Sequence, residues 1–217
     1  MVIAVDGPGG VGKSTVAGRV AEALELPHLD TGSTYRAAGL AALREGAPLD
    51  DSDAVLAALA GVGITIVEGV VSIDGVDVTE DLRSDDVTSA SSLVATHPEV
   101  RERIVALQQS WVANRGGSAV VEGRDIGTVV FPDAPVKVYL TARPEVRAAR
   151  RSGDAEAADK SKDQIAAELA VRDHTDSSRK ASPLRPADDA EIIDTSDLSI
   201  DQVVERVLAL VDAGRRT

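Results

Sequence analysis

Gly7, Pro8, Gly9, Gly10, Val11, Gly12, Lys13 and Ser14 meet every position of the pattern G-x-x-x-x-G-K-[ST], and Thr15 follows. Each residue type has a reason in phosphate chemistry. Glycines let the backbone turn its N–H groups toward phosphate oxygens with no Cβ in the way. A helix that starts where the loop ends adds the positive end of its dipole. Lys13 then reaches the β- and γ-phosphates of a nucleotide, and the Ser14 hydroxyl is the expected contact to Mg2+. The alternative is an ordinary glycine-rich turn between a strand and a helix. It is disfavoured because strand, loop, lysine and helix all stand in order. The loop points to a bound phosphate chain; it does not name a reaction.

Two sets of arginines narrow the reaction. Arg147, Arg150 and Arg151 fall at i, i+3 and i+4 and share a helix face. Inside that helix no carboxylate lies three or four residues from any of them, so the set repels itself unless an anion arrives. Arg172, Asp176 and Arg179 follow one stripe at i, i+4 and i+7 if their helix runs that far. Salt bridging on the helix surface would account for Arg172 with Asp176, but not for the first set. Arginine's planar fork grips phosphate in bidentate fashion and spreads the charge of a moving phosphoryl group. A third gathering is Glu122-Gly-Arg124-Asp125-Ile-Gly127. As a surface ion pair Arg124–Asp125 would contribute only ~0.5 kcal/mol. Its place after an apolar run, at the rim where open α/β sheets bind ligands, favours a functional role. Phosphoryl transfer needs in-line positioning, cations and exclusion of water rather than covalent chemistry from the protein. A phosphate loop, arginines and a polar segment at Ser152 to Lys162, read as a mobile lid rather than a plain surface loop, supply those parts.

These residues need a scaffold, and the hydrophobic pattern describes one. Apolar runs alternate with helical periodicity, which predicts an α/β protein with a central parallel sheet flanked by crossover helices. The expected core strands are Val2 to Asp6, His28 to Asp30, Ala119 to Glu122, Val136 to Thr141 and Glu191 to Asp194. Helical patterns lie at Lys13 to Leu24, Ser33 to Glu45, Pro98 to Asn114, Pro144 to Arg151, Lys162 to Arg172 and beyond, and Ile200 to Ala213. Residues 50 to 95 have another texture: short β runs at 64–67, 70–73 and 76–78, separated by Glu68-Gly69 and Asp74-Gly75. Asp-Gly between β-rich runs is a strong hairpin signal, so a small antiparallel sheet is expected there.

Composition sets outer bounds. A chain of 217 residues suits one domain with an inserted element, and such a chain buries roughly 70% of its unfolded surface. A net charge of -13 disfavours binding to nucleic acid or to an anionic membrane. Zero Cys excludes disulfides and cysteine-based zinc sites and agrees with a reducing compartment. The three histidines, His28, His97 and His174, show no ligand spacing, so zinc catalysis is not expected. No apolar stretch approaches the ~18 residues of a membrane span. With the phosphate loop starting at Gly7, no signal peptide is expected ahead of the fold, and the protein is read as cytoplasmic.

Asp6 to Thr15, Leu29-Asp-Thr-Gly-Ser-Thr-Tyr-Arg36, Glu122 to Ala134, Arg172-Asp173 through Pro183-Leu184, and Asp194-Thr-Ser196 together resemble the bacterial cytidylate kinases. The resemblance covers nearly the whole chain. It implies the P-loop nucleoside-monophosphate-kinase fold: a core of residues 1–31, 96–151 and 180–217, a monophosphate-binding insert at about 32–95 with its small antiparallel sheet, and a lid at about 152–163. It implies phosphoryl transfer from ATP, with Mg2+, to CMP and dCMP by a monomer. Thr31, Tyr35 and Arg36 would then lie in the CMP site, Thr31 on the cytosine, and Arg36 with Arg124 on the α-phosphate. Arg101 resembles the arginine beside the cytosine carbonyl, and Asp125 the carboxylate that reads the cytosine amino group. Asp176 would take the ribose hydroxyls, with Arg172 near sugar and phosphates and Arg179 on the phosphates during transfer. Lys13, Arg124, Arg172 and Arg179 would form the catalytic set, with Arg147, Arg150 and Arg151 on ATP.

Three positions depart from the family pattern. Ser14 follows the loop lysine where many monophosphate kinases have Gly, so Ser14 and Thr15 compete as the metal contact; Thr175 stands where relatives often have arginine; and the lid is acidic and rich in small residues. A kinase for another monophosphate or small metabolite would look similar. A GTPase would carry Asn/Thr-Lys-x-Asp, whereas the only Asn, Asn114, precedes Arg-Gly-Gly. A motor ATPase would usually show an apolar strand ending in Asp after the loop.

Overall fold

The computed structural model describes residues 1–153 and 160–214. In chain order the elements are β1 (Val2–Asp6), α1 (Lys13–Leu24), β2 (His28–Asp30), α2 (Thr31–Arg44), α3 (Ser52–Leu59), β3 (Ile64–Val67), β4 (Val70–Ile73), β5 (Val76–Asp77), α4 (Asp85–Val94) and α5 (Pro98–Ala113). They continue with β6 (Ala119–Gly123), β7 (Val136–Thr141), α6 (Pro144–Arg151), α7 (Lys162–Ser178), β8 (Glu191–Asp194) and α8 (Ile200–Gly214). They fold as two compact units, Met1–Leu29 with Val112–Thr217, and Asp30–Trp111.

The first unit is built on a five-stranded sheet in the order β2-β6-β1-β7-β8. β1 lies parallel to both β6 and β7, and β8 runs parallel to β7. β1 and β6 can be central because their sequences are apolar at successive positions, and Ile3, Ala4, Val5, Ala119, Val120 and Val121 are all fully buried. On α1, Val16, Ala17, Val20 and Ala21 recur at helical spacing and pack with Ile3, Val5 and Val138. From α8, Val203, Val204, Val207 and Val211 join the same core. Pro144 opens α6 at a position where the missing N–H is not needed. Ser161 and Gln164 close a capping box over the start of α7 (2.8 and 3.2 Å).

In the second unit, β3, β4 and β5 form an antiparallel three-stranded sheet. Val67 pairs with Val70 and Ile73 with Val76, so each connection is two residues long. Glu68 (φ 49°) with Gly69 (φ 82°) and Asp74 (φ 51°) with Gly75 (φ 80°) both take the doubly left-handed turn that matches strand twist. Trp111 donates its indole N–H to the Ile66 carbonyl at 2.8 Å, fastening the end of α5 to this sheet.

The expected core strands and hairpins are present, and β6 runs one residue further, through Gly123. α2 starts at Thr31 rather than Ser33, because the Asp30 carboxylate accepts from Gly32 N (2.8 Å) and caps it there. Two helices inside 50–95 escape the pattern reading. α3 is eight residues long, and α4 is rich in Ser and Thr, so neither carries a strong periodic signal; Asp51 and Ser84 cap them. Of the expected lid, residues 154–159 lie outside the described residues. Among the described residues no helix is long and apolar enough to cross a membrane.

Candidate active site

The phosphate loop leaves β1 at Gly7 and enters α1 at Lys13, in the strand–loop–helix order the motif requires. Gly7 is held at φ 148°, and a Cβ there would lie 2.2 Å from the Leu140 carbonyl oxygen on β7, so only glycine fits. Lys13 is buried, and its ammonium donates to the Pro8 carbonyl at 2.7 Å across the loop. The Ser14 hydroxyl donates to Glu122 Oε2 at 2.9 Å; Thr15 is exposed on the next position of α1. Glu122 is 2% exposed, and its other oxygen lies 3.0 Å from His28 Nε2. Glu122 opens one of the polar gatherings in the sequence, but neither it nor His28 has an assigned role there. The signal for Glu122 was its place at the carboxyl end of an apolar strand.

Register brings a second group beside the loop, since Asp6 pairs with Gly123 on β6. Arg124 comes next in the chain, donating from Nη1 to the Gly7 carbonyl (3.1 Å) and from Nε to Asp176 (2.9 Å). Asp125 is buried and precedes a wide π-type turn, Ile126–Val130, a form that recurs at functional sites. That turn is held from beneath: Asp6 accepts from Ile126 N at 2.8 Å and from Gly127 N at 2.7 Å. Burial pushes the Asp6 carboxyl up to about 6, against the lowering pull of those two N–H donors; Asp125 raises it further and Lys13 lowers it. Burial also raises the nearby Tyr139 phenol.

The arginines keep different company from that expected. Arg147 does not stand in a self-repelling set: its Nη2 meets Asp173 of α7 at 2.5 Å and its Nε donates to the Gly9 carbonyl at 2.7 Å. Arg150 donates to the Thr195 hydroxyl (2.9 Å) and carbonyl (2.6 Å), just past β8. Arg151 ends α6, half-buried. The partners of Arg147 and Arg150 come from segments distant in sequence, which i, i+4 spacing does not report. Asp176 pairs with Arg124 and Arg179. Helix α7 ends at Ser178; Arg179 sits one residue beyond, at its cap, so the stripe turns off the helix there.

The remaining predicted residues belong to the second unit. Thr31 opens α2, buried, and its carbonyl accepts from the Thr34 hydroxyl at 2.6 Å. Thr34 in turn accepts from Gln108 Nε2 at 2.8 Å, so Gln108, absent from the sequence-derived set, supports the Thr31 backbone. The buried Arg101 guanidinium lies 5.2 Å from the centroid of the Tyr35 ring and donates to the Ala95 carbonyl at 3.3 Å. Arg36 follows Tyr35 on α2, half-buried.

A glycine-rich loop between the first strand and helix of a parallel sheet, with Lys13 and Ser14 at its end and Arg124 and Arg147 on its carbonyls, defines a P-loop protein of the kinase class. The family model for cytidylate kinase matches residues 3–213. The cytidylate kinase of Pelotomaculum thermopropionicum is 49% identical over 221 residues, covering 99% of this chain and 97% of that protein. The cytidylate kinase of Corynebacterium glutamicum is 47% identical over 219 residues, covering 98% and 95%. The chain belongs to the cytidylate kinase family. Among solved structures, a gluconokinase from Sinorhizobium meliloti 1021 shares the fold at a TM-score of 0.51 and 16% identity, over 99% of this chain and 94% of that one.

Proposed function

We propose that the protein transfers the γ-phosphoryl group of ATP in line to the phosphate oxygen of CMP or dCMP, giving ADP and CDP or dCDP, as a cytoplasmic monomer. The observation that carries this reading is Arg124. Its guanidinium bonds the P-loop backbone at Gly7 and the Asp176 carboxylate, next to the buried Asp125. One cation thus stands against the donor loop, beside the carboxylate suited to the acceptor's base.

The roles follow from chemistry. The P-loop N–H groups from Gly7 to Thr15 cradle the donor phosphates, and Lys13 exchanges the Pro8 carbonyl for phosphate oxygen. Arg147 and Arg150 act on ATP through the loop and the turn they fasten, at Gly9 and Thr195; Arg151 meets the donor directly. Asp125 accepts from the cytosine N4–H2, which uracil lacks. On the second unit, the residues assigned to CMP are Thr31, Tyr35 and Arg101 for the base and Arg36 for the α-phosphate. Asp176 takes the ribose hydroxyls, while Arg172 and Arg179 spread the charge of the transferring group.

Mg2+ fits the residues present. Ser14 donates its only hydroxyl hydrogen to Glu122, which leaves the Oγ lone pairs for a hard cation. Among the described residues no group of three or more His, Cys, Asp or Glu side chains is placed to hold a metal by itself, so the ion belongs with the nucleotide's phosphates. Held by Ser14 and the nucleotide, it would supply positive charge against the phosphates. The test is an acceptor panel: CMP, dCMP, UMP, AMP and shikimate with MgATP, scored by ADP release. CMP and dCMP should lead; activity on UMP or AMP well above theirs would overturn the assignment.

A further inference from the structure

Glu122 is a carboxylate almost wholly inside the protein, and each of its oxygens meets a side chain from another element. Its Oε2 takes the Ser14 hydroxyl at 2.9 Å and its Oε1 faces His28 Nε2 at 3.0 Å. A carboxylate accepts only, so Nε2 is the nitrogen that carries the hydrogen here. His28 begins β2, the strand next to β6 in the sheet, and its other ring nitrogen lies over α1 at Gly18, one helical turn beyond Ser14. The ring therefore bridges the outer strand, the end of β6 and the helix that carries the phosphate loop. Its side chain is 29% exposed and that of Glu122 2% exposed, so the buried carboxylate sits between two more accessible ends, His28 and the exposed Ser14.

We infer that His28 is a positioning residue for the metal contact. By donating to Oε1 it fixes the carboxylate plane so that Oε2 faces Ser14. Glu122 then holds the Ser14 hydrogen away from the nucleotide side and turns the Oγ lone pairs outward. Without that donor, the plane of the carboxylate is less constrained and the Ser14 hydroxyl loses its preferred direction. Partners of this kind, one bond removed from a metal contact, set ligand orientation. The assignment rests on the reading of Ser14 as the Mg2+ contact.

The test compares ATP binding with and without Mg2+ by calorimetry in the intact chain, for the wild type, Ser14→Ala, His28→Leu and His28→Gln. The quantity read is the factor by which Mg2+ tightens binding. His28→Leu should reduce that factor about 10-fold, the usual effect of removing such a partner, with metal-free ATP binding and the melting temperature little changed. His28→Gln, which keeps a side-chain N–H, should restore most of it. A wild-type-like factor in His28→Leu, alongside its loss in Ser14→Ala, overturns the role of His28 and leaves the Ser14 reading standing. No Mg2+ effect in the wild type, or none lost in Ser14→Ala, overturns both. Should the leucine variant not fold, the wild type still decides: the ring 15N resonance of His28 should shift when Mg2+ joins an ADP-bound sample, and an unmoved resonance refutes the inference.

Discussion

Asp6→Asn tests the energetics of the site most sharply, because a buried acid works there in spite of its environment. Asp6 is 4% exposed, and burial lifts its carboxyl from 3.8 to about 6 even though two backbone N–H groups lower it. Raising it from 3.8 to about 6, at 1.36 kcal/mol per pH decade, amounts to ~3 kcal/mol. A folded pKa above the unfolded one means the native state holds the proton more tightly. Its stabilisation is therefore fully present below about pH 3.8 and is lost as pH rises through about 6. Asn does not titrate, so the stability of the wild type minus that of the variant should fall by ~3 kcal/mol between about pH 3.5 and pH 7. Other carboxylates, such as Asp189 and Asp197, are lowered by Lys137 and Arg143 and move with the opposite sign, but they cancel in the difference. The assay is urea unfolding of both proteins by far-UV circular dichroism across that range. The 15N shifts of Ile126 and Gly127, whose N–H groups bond Asp6, should titrate with a midpoint near 6 in the wild type only. A flat or rising difference, or backbone shifts that titrate near pH 4, would refute the reasoning.

Two further changes probe the loop and the acceptor side. Gly7→Ala forces φ 148° on an L side chain and drives its Cβ toward the Leu140 carbonyl, so the melting temperature should drop, with a loss of at least ~1–3 kcal/mol from backbone strain alone; an unchanged melting curve would mean the loop relaxes freely. Asp125→Ala should relax the preference for CMP over UMP by ~1–3 kcal/mol if the base contact is bidentate. Unaltered selectivity in kcat/KM would remove Asp125 from the base site.

Local signals carried well into this fold. The P-loop reads directly because a single run of residues encodes strand end, turn, cation and helix start. The hairpins at Glu68-Gly69 and Asp74-Gly75 read equally well, since both left-handed positions are adjacent in sequence. The π-type turn at Ile126–Val130 was not legible. Its shape is set by Asp6, 120 residues away, whose carboxylate gathers two N–H groups that an ordinary helix start would leave to water. The pairing of His28 with Glu122 was not legible either, because the strand order β2-β6-β1 that sets it is a matter of topology.

The arginines mark the point at which spacing rules along a helix stop. Counting neighbours along α6 left Arg147 facing only like charges, yet Asp173 of α7 meets it at 2.5 Å. Asp176 likewise serves Arg124 and Arg179, one from the end of β6 and one from beyond its own helix. These cations are therefore not poised by mutual repulsion. They are already oriented by carboxylates, with Arg124 and Arg147 also tied to P-loop carbonyls. A phosphate that engages Arg124 or Arg179 competes with Asp176, so the net gain is the difference between two charge-assisted contacts, while the pre-set geometry lowers the ordering cost. On the proposed assignment of these arginines to phosphate, Asp173 and Asp176 of α7 would hold them in register until the phosphates arrive.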